Sequence, residues 1–298
     1  MSPTVSPTPA EVANLGPLQP WLEEAAVVEI SMNQDQLLWV SRFGEDTRSE
    51  AWWDPDSAER MIRWCASHGR SSVTETRPIL SAMVPGFPHR IEALLPPVVE
   101  APVFSIRRHT DRAAIGFDSF DWAIPDDMHI IAQAFVAERR NLVVAGSTGS
   151  GKTTFANACL AALAEASPAE RVVLIEDTPE LQSGLANTVA LRTSRTVDQQ
   201  QLLVSTLRLA PDRIVLGECR DGGAALTLLK AWNTGHRGGL TTLHANGASE
   251  VVPRLDILCS EVAVTSQDRL IRSTIDVVAF LERGAGRPAV REIQEIEP

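Results

Sequence analysis

Apolar and polar positions alternate with two different periods along the chain, and these periods predict its elements. Near the start, runs 27–32 and 37–40 flank a polar turn and predict a β-hairpin, while Asp54 followed by Pro55 is typical of a helix start. Three more extended runs follow, each bounded by proline or glycine: 79–84, 90–95 and 103–108. This mixture predicts a small α+β domain over residues 21–109.

The remainder of the chain alternates apolar runs with helical segments. The runs are 142–145, 172–175, 214–216, 240–243 and 277–281. A helix is predicted to begin at Asp126 and Asp127, because apolar residues then recur at helical spacing, at Met128, Ile131, Ala132, Phe135 and Val136. Strands that are apolar on both faces and separated by helices predict a parallel sheet covered on both sides. The expected class is therefore α/β over 126–298, with 1–20 as a disordered tail and 110–125 as a linker.

Composition narrows the function classes. A length of 298 residues and a hydrophobic fraction of 44% predict about two domains with real cores and exclude disordered, collagen-like and small disulfide-scaffold classes. The charge, 27 Lys+Arg minus 38 Asp+Glu or −11, and the absence of long basic runs disfavour direct binding of nucleic acid. Four scattered cysteines indicate a reduced compartment and no zinc site, and no apolar run is long enough for a membrane span, so we expect a cytoplasmic protein.

The sharpest motif is a glycine-rich loop between a predicted strand and a predicted helix. It fits G-x-x-x-x-G-K-[ST] and comprises Gly146, Ser147, Thr148, Gly149, Ser150, Gly151, Lys152 and Thr153. Such a loop turns backbone N–H groups around a phosphate, while Lys152 reaches the β- and γ-phosphates and Thr153 offers a hydroxyl to Mg²⁺. The motif predicts binding of a nucleoside triphosphate, ATP, with Mg²⁺.

Polar residues follow three of the predicted strands. Glu176 and Asp177 end one strand, Glu218 ends another, and His244 ends a third. Carboxyl ends of parallel strands face the same crevice as a phosphate loop, so a carboxylate there can position water or metal and an imidazole can contact the γ-phosphate. The alternative is that Glu176 and Asp177 only cap a turn before Pro179.

Two further residues have local explanations. Asp221 precedes a predicted helix and is assigned as its N-cap rather than as a catalytic carboxylate. His236 lies in a glycine turn and is associated with that turn, and the sequence leaves a functional role for it open.

Together these motifs resemble the P-loop ATPases of type IV secretion, conjugation, type II secretion and type IV pili. The loop through Thr154 is similar to the family's Walker A, and the segment from Ile175 to Leu181 is similar to its Asp box. The segment from Leu207 to Asp221 is similar to its Walker B, and 234–246 to its His box. Segments 90–97 and 104–108 are similar to the N-terminal domain of the conjugation and type IV secretion branch, so the resemblance covers about residues 20–285.

The resemblance implies a homo-hexameric cytoplasmic motor that is peripheral to the inner membrane through its partner proteins. Each subunit is expected to have a PAS-like N-terminal domain and a RecA-like C-terminal domain, and to hydrolyse ATP at the cleft between them. Glu176 is implied as the catalytic glutamate, and Thr153 and Glu218 as Mg²⁺ residues, Glu218 through water. Arg90 and either Arg107 or Arg108 are implied to contact the nucleotide phosphates.

Strand alternation helps to choose between the two adjacent arginines. It groups Arg107 with Ser105 and Arg108 with apolar residues, which favours Arg107 if the apolar face is buried.

Three functions remain open. The leading hypothesis is a motor for conjugal DNA transfer or type IV secretion. A rival within the family is a type IV pilus or tight-adherence motor. A rival from another class is a RecA-like translocase whose hydrolysis is stimulated by nucleic acid.

Overall fold

The computed structural model describes residues 14–42, 45, 47–69, 71–108, 116–124, 127–194, 196–284 and 287–297. The chain divides into two compact units, Met1–Asp111 and Arg112–Pro298. Each unit has its own sheet and its own buried apolar residues.

The first unit is built on a six-stranded sheet whose described pairs are all antiparallel, in the order β3-β2-β1-β6-β5-β4. Its strands are β1 (Val27–Met32), β2 (Leu37–Arg42), β3 (Arg48–Trp52), β4 (Ile79–Met83), β5 (Arg90–Leu94) and β6 (Val103–Arg107). Its helices are a 3₁₀ turn (Gly16–Leu18), α1 (Gln19–Glu23) and α2 (Pro55–His68). The predicted hairpin is confirmed as β1 and β2, and the α+β composition of this unit agrees with the expectation; its likeness to a PAS domain stays a prediction.

Helix α2 begins where the sequence predicts. The Asp54 carboxylate accepts a hydrogen bond from the amide of Ser57 at 2.8 Å, and Pro55 occupies the first helical position, where a missing N–H costs nothing. Met61, Ile62 and other residues of one face are buried in the core that the sheet shares.

The predicted disordered tail is wrong for residues 14–20. Leu15 and Leu18 are 0% exposed and join the core of the first unit together with Leu22 of α1. Their spacing places them on one helical face, and the intervening prolines Pro17 and Pro20 stand in the first turns of short helices, where proline is tolerated. Residues 1–13 lie outside the described residues.

The second unit is built on an eight-stranded sheet in the order β10-β9-β11-β12-β8-β13-β14-β7. Its strands are β7 (Asp121–Trp122), β8 (Leu142–Gly146), β9 (Val172–Glu176), β10 (Thr188–Arg192), β11 (Arg213–Leu216), β12 (Leu240–Leu243), β13 (Val277–Arg283) and β14 (Pro288–Glu295). Its α-helices are α3 (Asp127–Ile131), α4 (Lys152–Ala166), α5 (Gln199–Thr206), α6 (Gly222–Asn233), α7 (Val251–Cys259) and α8 (Asp268–Thr274). It also has 3₁₀ turns at Phe117–Ser119 and Ala248–Glu250 and a π-helix at Ala132–Ala137.

This sheet is parallel apart from the β13/β14 pair, and it is covered on both faces. Alternate residues of β8 divide between two cores: Val143 and Ala145 pack on one side, and Leu142 and Val144 on the other. The predicted α/β class with a parallel-rich sheet is therefore confirmed.

The described part of the predicted linker, 116–124, belongs to the second unit. Strand β7 pairs in parallel with β14, and Phe117, Phe120 and Trp122 gather around Phe155 of α4, with the Phe120 and Phe155 ring centroids 5.1 Å apart. The linker prediction is therefore wrong for 117–122. Aromatic residues scattered through a polar stretch pack into the core of the second unit here, and the stretch forms an edge strand of its sheet. Residues 110–115 and 125 lie outside the described residues.

The helix predicted after Asp126 is present but changes its period. Helix α3 continues as the π-helix Ala132–Ala137, in which the amide of Glu138 donates to the carbonyl of Gln133, five residues earlier. The wider turn buries Ala134 together with Phe135, whereas the predicted Val136 is only half-buried.

Arg213, the first residue of β11, holds the end of this π-helix. It is 0% exposed, and its Nε lies 2.5 Å from a carboxylate oxygen of Glu170. Its remaining N–H groups donate to the carbonyls of Phe135 at 2.5 Å, Val136 at 3.0 Å and Gly238 at 3.2 Å. One buried cation thus satisfies carbonyl groups that a π-helix end leaves without intrahelical partners.

Candidate nucleotide-binding and catalytic site

The glycine-rich loop lies between a central strand and a helix N-terminus, as its motif requires. Strand β8 ends at Gly146 and α4 begins at Lys152. Gly149 has φ +75°, a conformation that favours glycine, and a Cβ there would meet nothing within 4 Å. The loop backbone is therefore open on this side, next to a helix start whose first amides have no intrahelical acceptors.

Lys152 is buried against its own loop. The side chain is 7% exposed, and its Nζ donates to the carbonyl oxygens of Gly146 at 2.9 Å and Ser147 at 2.8 Å. These are neutral acceptors, so a phosphate oxygen would form the stronger, charge-assisted bond to the same ammonium.

The buried hydroxyl of Ser150 indicates that the loop fits a phosphate chain. Ser150 is 0% exposed, and its Oγ has no hydrogen-bond partner among the described residues. A buried hydroxyl without a partner is costly, and it is explained when a ligand supplies the acceptor. With the open backbone at Gly149 and the ammonium of Lys152, the loop fits a triphosphate; Thr153 and Thr154 follow in the first turn of α4 and are half-buried.

His244 joins the loop lysine to a strand-end glutamate. Its Nδ1 lies 3.4 Å from Lys152 Nζ, and its Nε2 lies 3.0 Å from Glu218 Oε1. Because an ammonium can only donate, Nδ1 is the acceptor and Nε2 carries the proton that is donated to Glu218. The predicted grouping of Lys152, Glu218 and His244 is therefore present.

Cations hold Glu218 ionised. Burial alone would raise its pKa, but the hydrogen bond from Arg220, the charges of Arg220 and Lys152 and the electrostatic effect of the His244 imidazole outweigh burial, so the pKa of Glu218 lies below its ordinary value. Arg220 Nη2 lies 2.6 Å from Glu218 Oε2. The carboxylate can thus serve as an anion at neutral pH, which a metal-side role requires.

Glu176 ends β9 in a different environment. It is 7% exposed, and its Oε1 accepts hydrogen bonds from the amides of Glu180 and Leu181, both at 2.9 Å. Burial raises the pKa of Glu176 to about 7, although the two amide bonds act in the opposite direction. The turn-capping alternative is thus correct for one oxygen of Glu176, and it does not exclude a proton-accepting role near neutral pH.

Gly217 follows β11, the predicted Walker B strand, and lies next to the side chain of Glu176. A Cβ on Gly217 would lie 3.0 Å from Glu176 Cγ, so the absence of a side chain lets the two strand ends approach. The close neighbour of Gly217 is therefore the Glu176 side chain.

The carboxylate of Asp177 contacts three side chains that the sequence analysis did not identify as site residues. Its Oδ1 accepts from Thr193 Oγ1 at 2.9 Å and from Gln199 Nε2 at 3.2 Å, while its Oδ2 lies 3.4 Å from Arg220 Nη1. Arg220 was quoted only as part of a motif, and Thr193 and Gln199 carry no sequence signal, because their role depends on a loop and a helix that return to the strand end.

The predicted arginines lie in the first unit. Arg90 and Arg107 are directly opposite each other across β5 and β6, and both are exposed. Arg108 is partly buried, and its guanidinium donates to the carbonyls of Glu24 and Val27. The hydrogen bonds of Arg108 therefore stabilise its own unit. Arg107 is the exposed one of the two arginines, as strand alternation predicted.

The two residues with local explanations behave as expected. The Asp221 carboxylate accepts from the amide of Ala224 at 2.8 Å and caps α6. His236 Nδ1 lies 3.2 Å from the carbonyl of Ala231, in the turn that follows this helix.

Metal ligands and membrane-spanning helices are two further features to consider in the described part of the chain. No group of three or more His, Cys, Asp and Glu side chains there is arranged to hold a metal ion. None of the helices in those ranges combines the length and the apolar character that crossing a bilayer demands.

Comparison with known proteins places these features in a family. Residues 90–283 match the family described as type II/IV secretion system proteins. A conjugal transfer protein TrbB from Rhizobium radiobacter is 43% identical over 277 residues, covering 93% of this chain and 85% of that protein. The type IV secretion system protein PtlH from Bordetella pertussis is 30% identical over 325 residues, covering 95% and 93%.

Solved structures agree. The VirB11 ATPase of the Brucella suis type IV secretion system, in complex with sulphate, has a TM-score of 0.52 and 26% identity, covering 96% of this chain and 94% of that one. The pilus retraction motor PilT with bound ADP has a TM-score of 0.65 at 18% identity, covering 94% and 82%, and shares the fold. The resemblance predicted from the motifs is therefore confirmed, and the chain belongs to the type II/IV secretion system protein family, whose members include ATPases of conjugation and type IV secretion.

Proposed function

We propose that this protein is an ATP-hydrolysing motor of a conjugal DNA transfer or type IV secretion system. The observation that carries the proposal is the line of contacts from the phosphate loop through Lys152 and His244 to Glu218. These contacts put the loop cation and a strand-end carboxylate on the two nitrogens of one imidazole. Conjugal transfer and type IV secretion come from the names of the relatives, TrbB and PtlH.

The loop residues would hold the nucleotide. Backbone amides of 146–154 and the hydroxyl of Ser150 would bind phosphate oxygens, and Lys152 would exchange its loop carbonyls for them. Thr153 and Glu218 would hold Mg²⁺, Glu218 through water, and the ionised state of Glu218 suits that role. The metal, when bound, offsets charge on the phosphates and on the transferred group.

Glu176 is proposed as the base that orients the attacking water. A pKa of about 7 places it near the value at which a base is both ionised and able to accept a proton. Its Oε1 is held by two amides, so its direction is set by the turn at 180–181.

Arg90 and Arg107 are proposed to contact the nucleotide phosphates. A site that holds Glu176, Asp177 and Glu218 needs cations beyond Lys152 and Arg220 when a triphosphate binds. Arginine suits this because its planar fork pairs with phosphate oxygens and stays charged at neutral pH.

Assembly as a homo-hexamer is proposed from the same resemblance, with attachment to the inner-membrane machinery through partner proteins and a cytoplasmic location. Direct binding of nucleic acid is not part of the proposal, because the chain carries a formal charge of −11.

The test is steady-state ATPase activity of the full chain, with Lys152→Ala and a matched control. Lys152 and Lys230 are the only two lysines in the sequence, and Lys230 is exposed on α6, so Lys230→Ala makes the same chemical change away from the site. We expect Lys152→Ala to abolish hydrolysis and weaken ATP binding, and Lys230→Ala to leave both unchanged. Hydrolysis by Lys152→Ala within a few-fold of wild type would overturn the site assignment.

Two further measurements address the kind of motor. Native mass spectrometry with a non-hydrolysable ATP analogue should give a ring of six chains, and a fully active monomer would refute the ring. Turnover that rises strongly with single-stranded DNA, in a salt-sensitive way, would favour a nucleic-acid translocase instead.

A further inference from the structure

Gln199 is a buried amide between two strand ends of the candidate site. It is the first residue of α5 and is 4% exposed. Its Nε2 lies 3.2 Å from Asp177 Oδ1 and 3.2 Å from the backbone carbonyl oxygen of Glu218. Both neighbours can only accept, so the NH₂ group faces them and each of its hydrogens has a partner.

The burial of the Gln199 amide is energetically unfavourable if the residue only fills space. The Oε1 of Gln199 is buried and has no hydrogen-bond partner among the described residues. A buried carbonyl without a donor loses its hydrogen bonds to water without replacement, and an apolar side chain of similar size would avoid that cost. The benefit must therefore lie in what the two N–H groups hold.

The N–H groups hold the residue after β9 to the residue after β11. Asp177 follows Glu176, the proposed base, and Glu218 is the proposed metal-side carboxylate. The two segments are next to each other, because β9 and β11 are paired neighbours in the sheet. One amide therefore touches the chain immediately beside both carboxylates.

Arg220 makes a second bridge of a different kind. It contacts Asp177 Oδ2 at 3.4 Å and Glu218 Oε2 at 2.6 Å, but its side chain is 53% exposed. This bridge uses a Glu218 carboxylate oxygen, which the proposed function also assigns to the metal side, and it is open to solvent and salt. The Gln199 bridge uses the backbone of Glu218 instead, so engagement of the carboxylate leaves it intact.

We propose that Gln199 is a positioning residue that keeps Asp177 and the Glu218 backbone at a fixed separation, so that the two catalytic carboxylates stay aligned during turnover. The proposal rests on the proposed ATPase function of this site. Gln199 touches neither Lys152 nor the phosphate loop in any described contact, so its loss should act on the chemical step rather than on nucleotide binding.

The experiment compares Gln199→Met with Gln200→Met in the full chain. Methionine keeps the length and flexibility of glutamine and removes its hydrogen bonds, and Gln200 is the exposed neighbour on the same helix. We expect Gln199→Met to lower kcat at least tenfold, with the KM for ATP and the Kd of a fluorescent ADP analogue within about threefold of wild type. Gln200→Met should match wild type in all three.

Gln199→Glu adds a readout that a packing role would not move. Its carboxyl group can donate a hydrogen bond to Asp177 only when protonated, and when ionised it repels Asp177. The kcat of Gln199→Glu relative to wild type should therefore fall as pH rises, while the relative kcat of Gln199→Met stays flat. This variant also keeps the proposal testable if Gln199→Met does not fold.

Each outcome decides the matter. A kcat of Gln199→Met within twofold of wild type, or a loss that only follows the folded fraction measured by circular dichroism, would overturn the positioning role. A kcat of Gln199→Glu within twofold of wild type at every pH would do the same, because a carboxyl group has at most one O–H and cannot replace both N–H donors. Failure of the proposed function is seen separately, as absence of hydrolysis in wild type or its persistence in Lys152→Ala.

Discussion

Replacing Glu176 with glutamine should change the pH dependence of stability in a defined direction. Glu176 is 7% exposed, and burial raises its pKa from the ordinary 4.5 to about 7. Glutamine has nearly the same shape, and its Oε1 can still accept from the amides of Glu180 and Leu181. Glu176→Gln therefore removes the titration and keeps the turn.

The magnitude follows from the two pKa values. Below pH 4.5 the carboxyl group is protonated in both the folded and the unfolded chain, so it costs nothing. As pH rises toward 7 the unfolded chain releases the proton first, and the folded state loses about 1.4 kcal/mol per pH unit. Above pH 7 both states are ionised and the loss levels off near 3 kcal/mol, as an order of magnitude.

Urea unfolding followed by far-ultraviolet circular dichroism measures this cost. Most helical residues lie in the second unit, which contains Glu176, so the signal reports mainly on its unfolding. We expect Glu176→Gln to be close to wild type near pH 5 and more stable by about 2 to 3 kcal/mol at pH 8. Glu165→Gln, an exposed change on α4, is the control and should show no such divergence. A difference between wild type and Glu176→Gln that is the same at both pH values would refute the reasoning.

Three other predictions concern turnover, phosphate contacts and the core. Glu176→Gln should bind nucleotide normally but hydrolyse it ~10²-fold more slowly or worse in single-turnover assays; unchanged turnover, with Glu218→Gln inactive, would transfer the base role to Glu218. Arg107→Ala and Arg90→Ala should each lower nucleotide affinity or turnover about tenfold, and unaltered values for both would exclude these arginines from phosphate binding. Arg213→Met should destabilise the second unit by about 3 to 5 kcal/mol in urea, because it leaves Glu170 and buried carbonyls unpaired; a loss below about 1 kcal/mol would show that water replaces the guanidinium.

The strands and helices that sequence predicted correctly are those whose pattern is strong over a short range. The carboxylates of Asp54 and Asp221 cap helices by accepting a hydrogen bond from the amide three residues later, and β8 and residues 172–175 of β9 are continuous apolar runs. Local rules are sufficient for such elements. The grouping of His244 with Glu218 was also predictable, since parallel strands deliver their carboxyl ends to one edge.

The elements that were missed lie at edges or depend on distant contacts. Strand β10 consists of half-buried and exposed residues, and β14 mixes buried, half-buried and exposed ones, so neither forms a continuous apolar run. Leu15 and Leu18 lie among prolines, whose composition suggested a tail, although their helical spacing was visible. Gln199 had no signal, because its value comes from two acceptors 22 and 19 residues away.

The contacts around the phosphate loop explain why its cation is a lysine in a chain whose basic residues are otherwise almost all arginine. The sequence has 27 Lys+Arg, and Lys230 is the one other lysine. Lys152 must direct its donors to two carbonyls of a tight loop and to the imidazole of His244, which lie in different directions around one point. A compact ammonium can do this, whereas the N–H groups of a guanidinium lie in one plane. The acceptors of Arg213 and Arg220 include carboxylates, and Arg213 also donates to carbonyls spread over a wider surface. The planar guanidinium group matches both kinds of acceptor. The choice between lysine and arginine therefore follows the geometry of the acceptors. In the loop those acceptors are neutral carbonyls, so the positive charge of Lys152 is available to bind a phosphate.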